Sequence, residues 1–169
     1  MTTTFKYRTD RKTLYISLAL MLAMILLGIV LMLLYRGGFI STWYLTLIVA
    51  LVALAALSIP RNIVIRRSTV EVRCLCNLIE IELSEIVSVR RVSRKELRVV
   101  PLFGIWGLFG YYGTFFSFND MSTVQIYATQ WNDFVEIADA SDNIYYLSSE
   151  QADKLIEAIE AARAGEERE

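Results

Sequence analysis

The chain has 169 residues, 55% of them hydrophobic, and a mean hydropathy of +0.44. Its formal net charge is −1, and it contains no histidine. This composition is too apolar for an ordinary soluble domain and indicates a membrane protein. The lack of histidine removes the commonest general base and metal ligand from consideration.

Two long uncharged runs occupy much of the first third of the chain. The first, Leu14 to Tyr35, would form about 33 Å of helix, enough to cross a hydrocarbon core of ~30 Å. The second, Ile40 to Ile59, follows after a very short link. We therefore predict an antiparallel transmembrane hairpin over residues 14–59, with spans at 14–35 and 40–59. A cleaved signal peptide is the alternative for the first run, but the run is long for one and a second run follows at once.

Basic residues near the ends of the two runs predict the orientation of the hairpin. They precede the first run and follow the second, whereas the link between the runs contains only Arg36. The positive-inside rule then places the basic N-terminal segment, residues 1–13, and everything after residue 59 in the cytoplasm. Because neither run carries an ionisable side chain other than tyrosine near an end, we interpret the hairpin as an anchor and not as a transport path.

Beyond residue 60 the chain alternates apolar and polar side chains with a period of two, which is typical of β-strands. We predict about seven short antiparallel strands between Ile63 and Leu147. The period then changes, and an amphipathic helix follows with an apolar stripe at Ala152, Leu155, Ile156 and Ile159. A helix with one apolar stripe is suited to cover an open end of a small sheet or barrel. Residues 60–165 are therefore predicted to form one α+β domain, and residues 166–169 a charged tail.

The stretch FGIWGLFGYYGTFF, Phe103 to Phe116, carries a glycine at every third position. A phosphate-binding loop is excluded because the required Lys and Ser/Thr are absent and no helix follows. Two interpretations stay open: glycines that permit unusual backbone conformations, and an apolar loop that contacts lipid or protein. The backbone-conformation glycines are Gly104, Gly107, Gly110 and Gly113. The candidate interface loop comprises Ile105, Trp106, Leu108, Phe109, Tyr111 and Tyr112, of which Trp106 and Phe109 are expected to insert at the inner leaflet or pack on a neighbouring subunit.

Charge is divided unevenly along the predicted domain. Residues 61–98 carry nine Lys/Arg against five Asp/Glu, whereas residues 99–169 carry three against twelve. The densest basic run is a candidate anionic-lipid patch, and a solvated loop is the alternative. The domain as a whole is acidic, at 12 − 17 = −5, which disfavours nucleic acid as a partner. The candidate patch comprises Arg90, Arg91, Arg94, Lys95 and Arg98.

Support for catalysis is thin. Cys74 and Cys76 would share one face of a strand about 7 Å apart, but no His or further Cys completes a metal or redox site, so we interpret them as reduced thiols. Glu80 and Glu82 also share a face and are interpreted as a solvated strand edge. We predict no catalytic residues, no metal and no cofactor.

Two apolar runs followed by IPRNIVI, then Gly107-Leu108-Phe109-Gly110-Tyr111-Tyr112-Gly113-Thr114-Phe115 and later Tyr127-Ala128-Thr129, resemble the bacterial PH-domain (pleckstrin-homology-like) membrane protein family. The resemblance covers most of residues 60–149. It implies a PH-like fold and a membrane anchor, and it names no activity.

The predicted fold class is thus an α-helical transmembrane hairpin plus an α+β PH-like domain, a small barrel or sandwich capped by a C-terminal helix. The expected function is non-catalytic binding or scaffolding at the bacterial inner membrane, with both termini cytoplasmic. The expected partner is membrane lipid, with a protein or further copies of the chain as the other candidates. The alternative is an accessory subunit of a membrane transporter or enzyme complex.

Overall fold

The computed structural model describes residues 2–7, 11–35, 38–74 and 78–166. A short strand precedes two long helices, and nine strands and a third helix follow. A single 3₁₀ turn, Leu83–Glu85, separates the fourth and fifth strands. The elements are β1 (Thr3–Lys6), α1 (Arg11–Leu34), α2 (Phe39–Leu57), β2 (Pro60–Ile65), β3 (Thr69–Cys74), β4 (Leu78–Glu82), β5 (Ile86–Val92), β6 (Val99–Trp106), β7 (Tyr111–Ser117), β8 (Ser122–Ala128), β9 (Phe134–Asp139), β10 (Ile144–Ser148) and α3 (Ala152–Glu166).

The two long helices contact each other side by side. Within the described residues, α1 is the one helix long and apolar enough to cross a membrane by length and composition, and the apolar segment Thr42–Ala55 of α2 is shorter. Gly28 of α1 leaves room for the ring of Tyr44 on α2, and the Tyr44 hydroxyl donates to Met24 O at 3.3 Å. The first predicted span is therefore a membrane-spanning candidate in the structure, whereas the second stays a prediction.

The strands form a sandwich of two sheets. One has the order β1-β2-β3-β4 and the other the order β5-β9-β10-β8-β7-β6. All pairs are antiparallel, as predicted, except β8 and β10, which are parallel. The turn after β9 reverses the chain, since the Asp139 carboxylate accepts hydrogen bonds from the backbone N–H groups of Ser141 and Asn143. That reversal places β10 between β9 and β8, running in the same direction as β8.

Three strands were not predicted from the sequence. Two of them, β6 and β7, contain the glycine-rich stretch, where a glycine at every third position hides the alternation of a strand. The third, β1, comes before α1 and pairs with β2 in register Thr4↔Val64. Four residues are too few for a recognisable period. The segment before the first apolar helix thus supplies an edge strand to a sheet of the domain that follows the second helix.

The C-terminal helix α3 covers one end of the sandwich, as predicted. Leu155 and Ile159 are fully buried and Ile156 is half-buried against the core that both sheets share. A second core cluster packs on the larger sheet and is rich in aromatic rings, among which those of Phe115 and Phe134 are fully buried.

Candidate functional site

The glycine-rich stretch forms a β-hairpin. β6 and β7 are joined by a tight turn in which Gly107 N donates to Gly110 O at 2.8 Å. All four of its glycines have positive φ, at +154° for Gly104, +89° for Gly107, +157° for Gly110 and +123° for Gly113. The backbone conformation along this hairpin is therefore one that L-residues rarely adopt. We call residues 107–110 the tip.

Gly104 and Gly113 face each other across the hairpin at a distance that excludes any side chain. A Cβ on Gly113 would lie 2.4 Å from Phe103 O and 2.6 Å from Gly104 Cα. A Cβ on Gly104 would lie 2.3 Å from Tyr112 O. The close backbone approach, together with positive φ, gives these two positions a conformational requirement that glycine alone meets.

The tip is hydrogen-bonded to α1. Ser17 is buried, and its Oγ accepts a hydrogen bond from Phe109 N at 2.7 Å. The same Oγ lies 3.0 Å from Gly107 O and 2.7 Å from Thr13 O, so its proton donates to one of these carbonyls at a time. A helix serine therefore satisfies backbone groups of a turn that lies 90 residues away in the chain.

A second contact joins the hairpin to α2. The Tyr112 hydroxyl lies 2.7 Å from Ala55 O, near the end of α2, and 3.0 Å from Leu108 O. Its ring is buried. The tip is thus held between the beginning of α1 and the end of α2. We call this contact, in which Ser17 and Ala55 of the helices are hydrogen-bonded to the tip and to Tyr112, the joint.

The six residues of the candidate interface loop do not share one environment. Tyr111 and Tyr112 are buried in the domain, whereas Trp106 is 46% exposed. The Trp106 ring still packs on its own domain, with its centroid 4.9 Å from that of Trp131 and 5.7 Å from that of Tyr111. The other three, Ile105, Leu108 and Phe109, are half-buried.

Sequence reasoning missed a set of exposed apolar residues beside this loop. β6 is an edge strand, and Phe103 on it is 85% exposed and Leu102 57% exposed. Phe118 and Met121, in the turn after β7, are also exposed. The sequence from Val99 to Trp106 contains no polar residue, whereas a strand with one solvated face usually alternates polar and apolar residues. This lack of alternation was a signal for a strand with exposed apolar side chains.

Two members of the candidate lipid patch are paired within the domain. Arg90 Nε lies 2.6 Å from Glu136 Oε1 and Arg90 Nη2 lies 2.8 Å from Glu136 Oε2, while Tyr146 donates to the same buried carboxylate at 2.9 Å. The hydrogen bond and charge of Glu136 raise the pKa of Arg90. Arg91 bridges Asp133 and Asp153. Both arginines therefore form ion pairs with carboxylates of the same domain.

The other three cations, Arg94, Lys95 and Arg98, lie in the turn between β5 and β6. They form no ion pair with any residue that the structure describes. Two hydrogen bonds connect this turn to the one after β7, since Phe118 N donates to Arg98 O at 2.9 Å and the Asn119 side chain donates through Nδ2 to Glu96 O at 2.6 Å. Three cations without an ion-pair partner in the described part of the chain thus adjoin the exposed apolar residues of the hairpin.

Cys74 lies at the end of β3, where it pairs with Pro60 of β2. Burial raises the pKa of its thiol from the ordinary 9.0 to about 11, and burial likewise raises the pKa of its neighbour Tyr127 to about 12. Cys76 lies outside the described residues, so the predicted C-x-C pair has one described member. Among the described residues no cluster of three or more His, Cys, Asp or Glu side chains could hold a metal ion.

The raised pKa predicts slow alkylation of Cys74. At pH 8, a thiol of pKa about 11 has roughly 100-fold less thiolate than one of pKa about 9. In a Cys76→Ser background, we expect the alkylation rate by iodoacetamide to keep rising with pH toward 11, whereas the urea-unfolded chain should level off near 9. The same midpoint in folded and unfolded chains would contradict the burial of this thiol.

Glu80 and Glu82 lie exposed on the edge strand β4. The buried carboxylate of this sheet is instead Glu71 on β3, which Arg66 Nε contacts at 2.6 Å and Arg73 Nη2 at 2.7 Å. Sequence reasoning did not single out Glu71. Its two arginine partners make it a charge-compensated structural group.

Comparison with known proteins identifies the family of the domain. The family model of the bacterial PH domain matches residues 61–163, which includes β2 through most of α3 and more than half of the chain. Neither the curated proteins nor the solved structures gave a match. The sandwich, the capping helix and this match agree with the resemblance seen in the sequence, and the chain belongs to the bacterial PH-domain family.

Proposed function

We propose that this protein is a non-catalytic binding or scaffold protein whose PH-like domain is fixed against the cytoplasmic face of the membrane by a two-helix hairpin. The observation that carries the proposal is the hydrogen bonding between the tip and Ser17. That serine lies inside the uncharged run of α1, three residues beyond Leu14, which is about 4.5 Å along a helix. A tip bonded at this depth lies at the level of the membrane interface.

The pairing of β1 with β2 supports two membrane spans. β1 precedes α1 and β2 follows α2, and the two strands are hydrogen-bonded in one sheet. The chain must therefore return to the side from which it started, which requires an even number of crossings. α2 is then the second span, and the organisation is residues 1–13, 14–59, 60–165 and 166–169, with both ends in the cytoplasm by the positive-inside rule.

The arrangement of the hairpin favours binding over chemistry. Trp106, Leu108 and Phe109 lie in or directly beside the tip, and aromatic side chains are suited to a membrane interface, which supports a binding role there. PH-like domains serve as binding modules, so the partner is lipid, another protein or a further copy of the chain. At the joint, the hydroxyls of Ser17 and Tyr112 are hydrogen-bonded to backbone groups, which supports a structural role for both side chains.

The topology is tested by labelling single cysteines in intact cells with an impermeant maleimide. In a chain without Cys74 and Cys76, we expect Phe39→Cys to react from outside the cell, and Thr2→Cys and Glu160→Cys to react only after the membrane is opened. All three positions are exposed. External labelling of Glu160→Cys would refute the proposal, and equal protection of all three sites would refute the second span.

An accessory-subunit role is the second candidate, and the exposed side chain of Phe103 favours it. An aromatic ring that is exposed to this extent is often covered by a partner protein. Purification from gently solubilised membranes separates the two: a stoichiometric second protein supports the accessory subunit, and a homogeneous assembly of this chain alone supports the scaffold.

A further inference from the structure

We infer that β6 lies along the surface of the cytoplasmic leaflet, with Leu102, Phe103 and Trp106 inserted at the headgroup boundary and Arg94, Lys95 and Arg98 in contact with anionic headgroups. The inference rests on the proposed membrane anchor and adds the face of the domain that touches lipid. We call this face the β6 surface. It comprises Arg94, Lys95, Arg98, Val100, Leu102, Phe103, Trp106, Phe118 and Met121.

Exposed apolar side chains are concentrated on this surface. In the described chain after Pro60, eight large hydrophobic side chains are exposed, and six of them belong to the β6 surface. The other two, Leu78 and Val87, lie apart on β4 and β5. They lie along one edge strand and the turn beside it, and apolar side chains gathered at one edge of a membrane-tethered domain mark a contact surface.

The backbone of β6 argues against a further strand as the occupant. An apolar edge strand is a template for pairing with another chain, and proteins interrupt such edges with proline and bulges. β6 carries Pro101, which has no N–H to donate, and its register with β7 shifts between Pro101 and Phe103. An edge interrupted in this way is poorly suited to add a strand from a second copy or a peptide, whereas lipid requires no backbone register.

The residues at both ends of β6 favour contact with the membrane. Trp106 directly precedes the tip, which is bonded to Ser17 inside the apolar run of α1. At the opposite end lie Arg94, Lys95 and Arg98, and each cation near an anionic leaflet strengthens membrane contact by roughly 5-fold. The unpaired outer N–H and C=O groups of β6 must stay hydrated, which limits insertion to headgroup depth.

The inference is tested in the full chain reconstituted into nanodiscs with and without anionic phosphatidylglycerol. In a chain without Cys74 and Cys76, an environment-sensitive fluorophore is attached at Phe103→Cys or, as a second variant, at Leu102→Cys. The matched control is Val87→Cys, an exposed apolar residue on β5, the opposite edge of the same sheet. Leu22→Cys, on α1, reports insertion of the anchor.

We expect lipids with a shallow spin label to quench the fluorophore at Phe103 and Leu102 and to leave Val87 unquenched, while deep-labelled lipids quench Leu22. If Leu22 is quenched and Phe103 behaves like Val87, the inference is wrong and the anchor stands. If Leu22 is not quenched by deep labels, the anchor and the inference fail together. Protection of Phe103 from soluble quencher without lipid quenching would mean a protein or a second copy covers β6, and would also overturn it.

Charge variants test the basic end separately. Changing Arg94, Lys95 and Arg98 together to glutamine should reduce lipid quenching at Phe103 in anionic nanodiscs and leave quenching in neutral nanodiscs unchanged. The control changes Arg67, Lys154 and Arg163 to glutamine, which alters net charge equally on other surfaces. Equal loss of quenching in both triple variants would contradict a headgroup contact by the basic turn.

Discussion

Gly113→Ala should lower the free energy of unfolding by about 3 kcal/mol or more, since the new methyl group adds steric overlap to an unfavourable φ. Its Cβ would lie 2.4 Å from Phe103 O, at a φ of +123°. The neighbouring atoms are backbone, which moves only if the pairing of β6 with β7 is disturbed. We expect Tm of the full chain in detergent to fall by roughly 6–12 °C.

The measurement is thermal unfolding followed by near-ultraviolet circular dichroism, which reports the packed rings of Trp106 and Trp131. The matched control is Gly165→Ala in α3, where a Cβ meets nothing within 4 Å. There alanine should be neutral or slightly stabilising, by up to about 1 kcal/mol. Similar Tm values for Gly113→Ala and Gly165→Ala would show that the close approach is not required.

The largest features of the fold were accessible from the sequence because they rest on long, regular patterns. The first apolar run is long enough to identify a helix that could span a membrane, and the stripe at Leu155 and Ile159 predicts the helix that covers the core. The family resemblance predicted the PH-like fold, of which the sandwich is a part. β1 was inaccessible because four residues hold no period, and their role depends on pairing with residues beyond the hairpin.

The site was only partly accessible because exposure and pairing depend on sheet order. Arg90 and Arg94 are neighbours in a basic run, yet the register of β5 with β9 puts Arg90 beside the buried Glu136 and leaves Arg94 in a turn. In the same way, the sequence contains Phe103 in an apolar stretch but does not reveal that β6 is an edge strand. The glycine spacing indicated unusual backbone, and the pairing of Gly104 with Gly113 needed the structure.

The joint between helix and domain links these features to function. β1 and β2 connect the sandwich to both helices through the chain, and Ser17 and Tyr112 connect it through side chains. In the proposed arrangement, a domain held at several points keeps one face toward the membrane, so that its partner is bound at a fixed height and orientation. Loosening the tip should therefore alter orientation before it alters the fold.

Ser17→Ala should release the tip from α1 without unfolding the domain. The change leaves the partly buried Phe109 N–H without its acceptor at 2.7 Å and removes the hydroxyl that reaches Gly107 O. An unsatisfied buried group costs about 1–3 kcal/mol, so opening of the tip should become roughly 5- to 150-fold more frequent. Hydrogen–deuterium exchange of the full chain in nanodiscs measures this opening at the amides of residues 107–110.

The control is Thr46→Ala on α2, because Thr46 Oγ1 makes the same kind of hydrogen bond to a carbonyl four residues earlier, Thr42 O at 3.0 Å, but is exposed. That variant should leave exchange at the tip unchanged. In Ser17→Ala, faster exchange confined to the tip, with the amides of β8 and β9 still protected, is the expected pattern. If exchange at the tip is the same as in the parent chain, the hydrogen bonds to Ser17 do not hold the domain at the membrane. The fixed orientation on which the proposed function depends would then have no support.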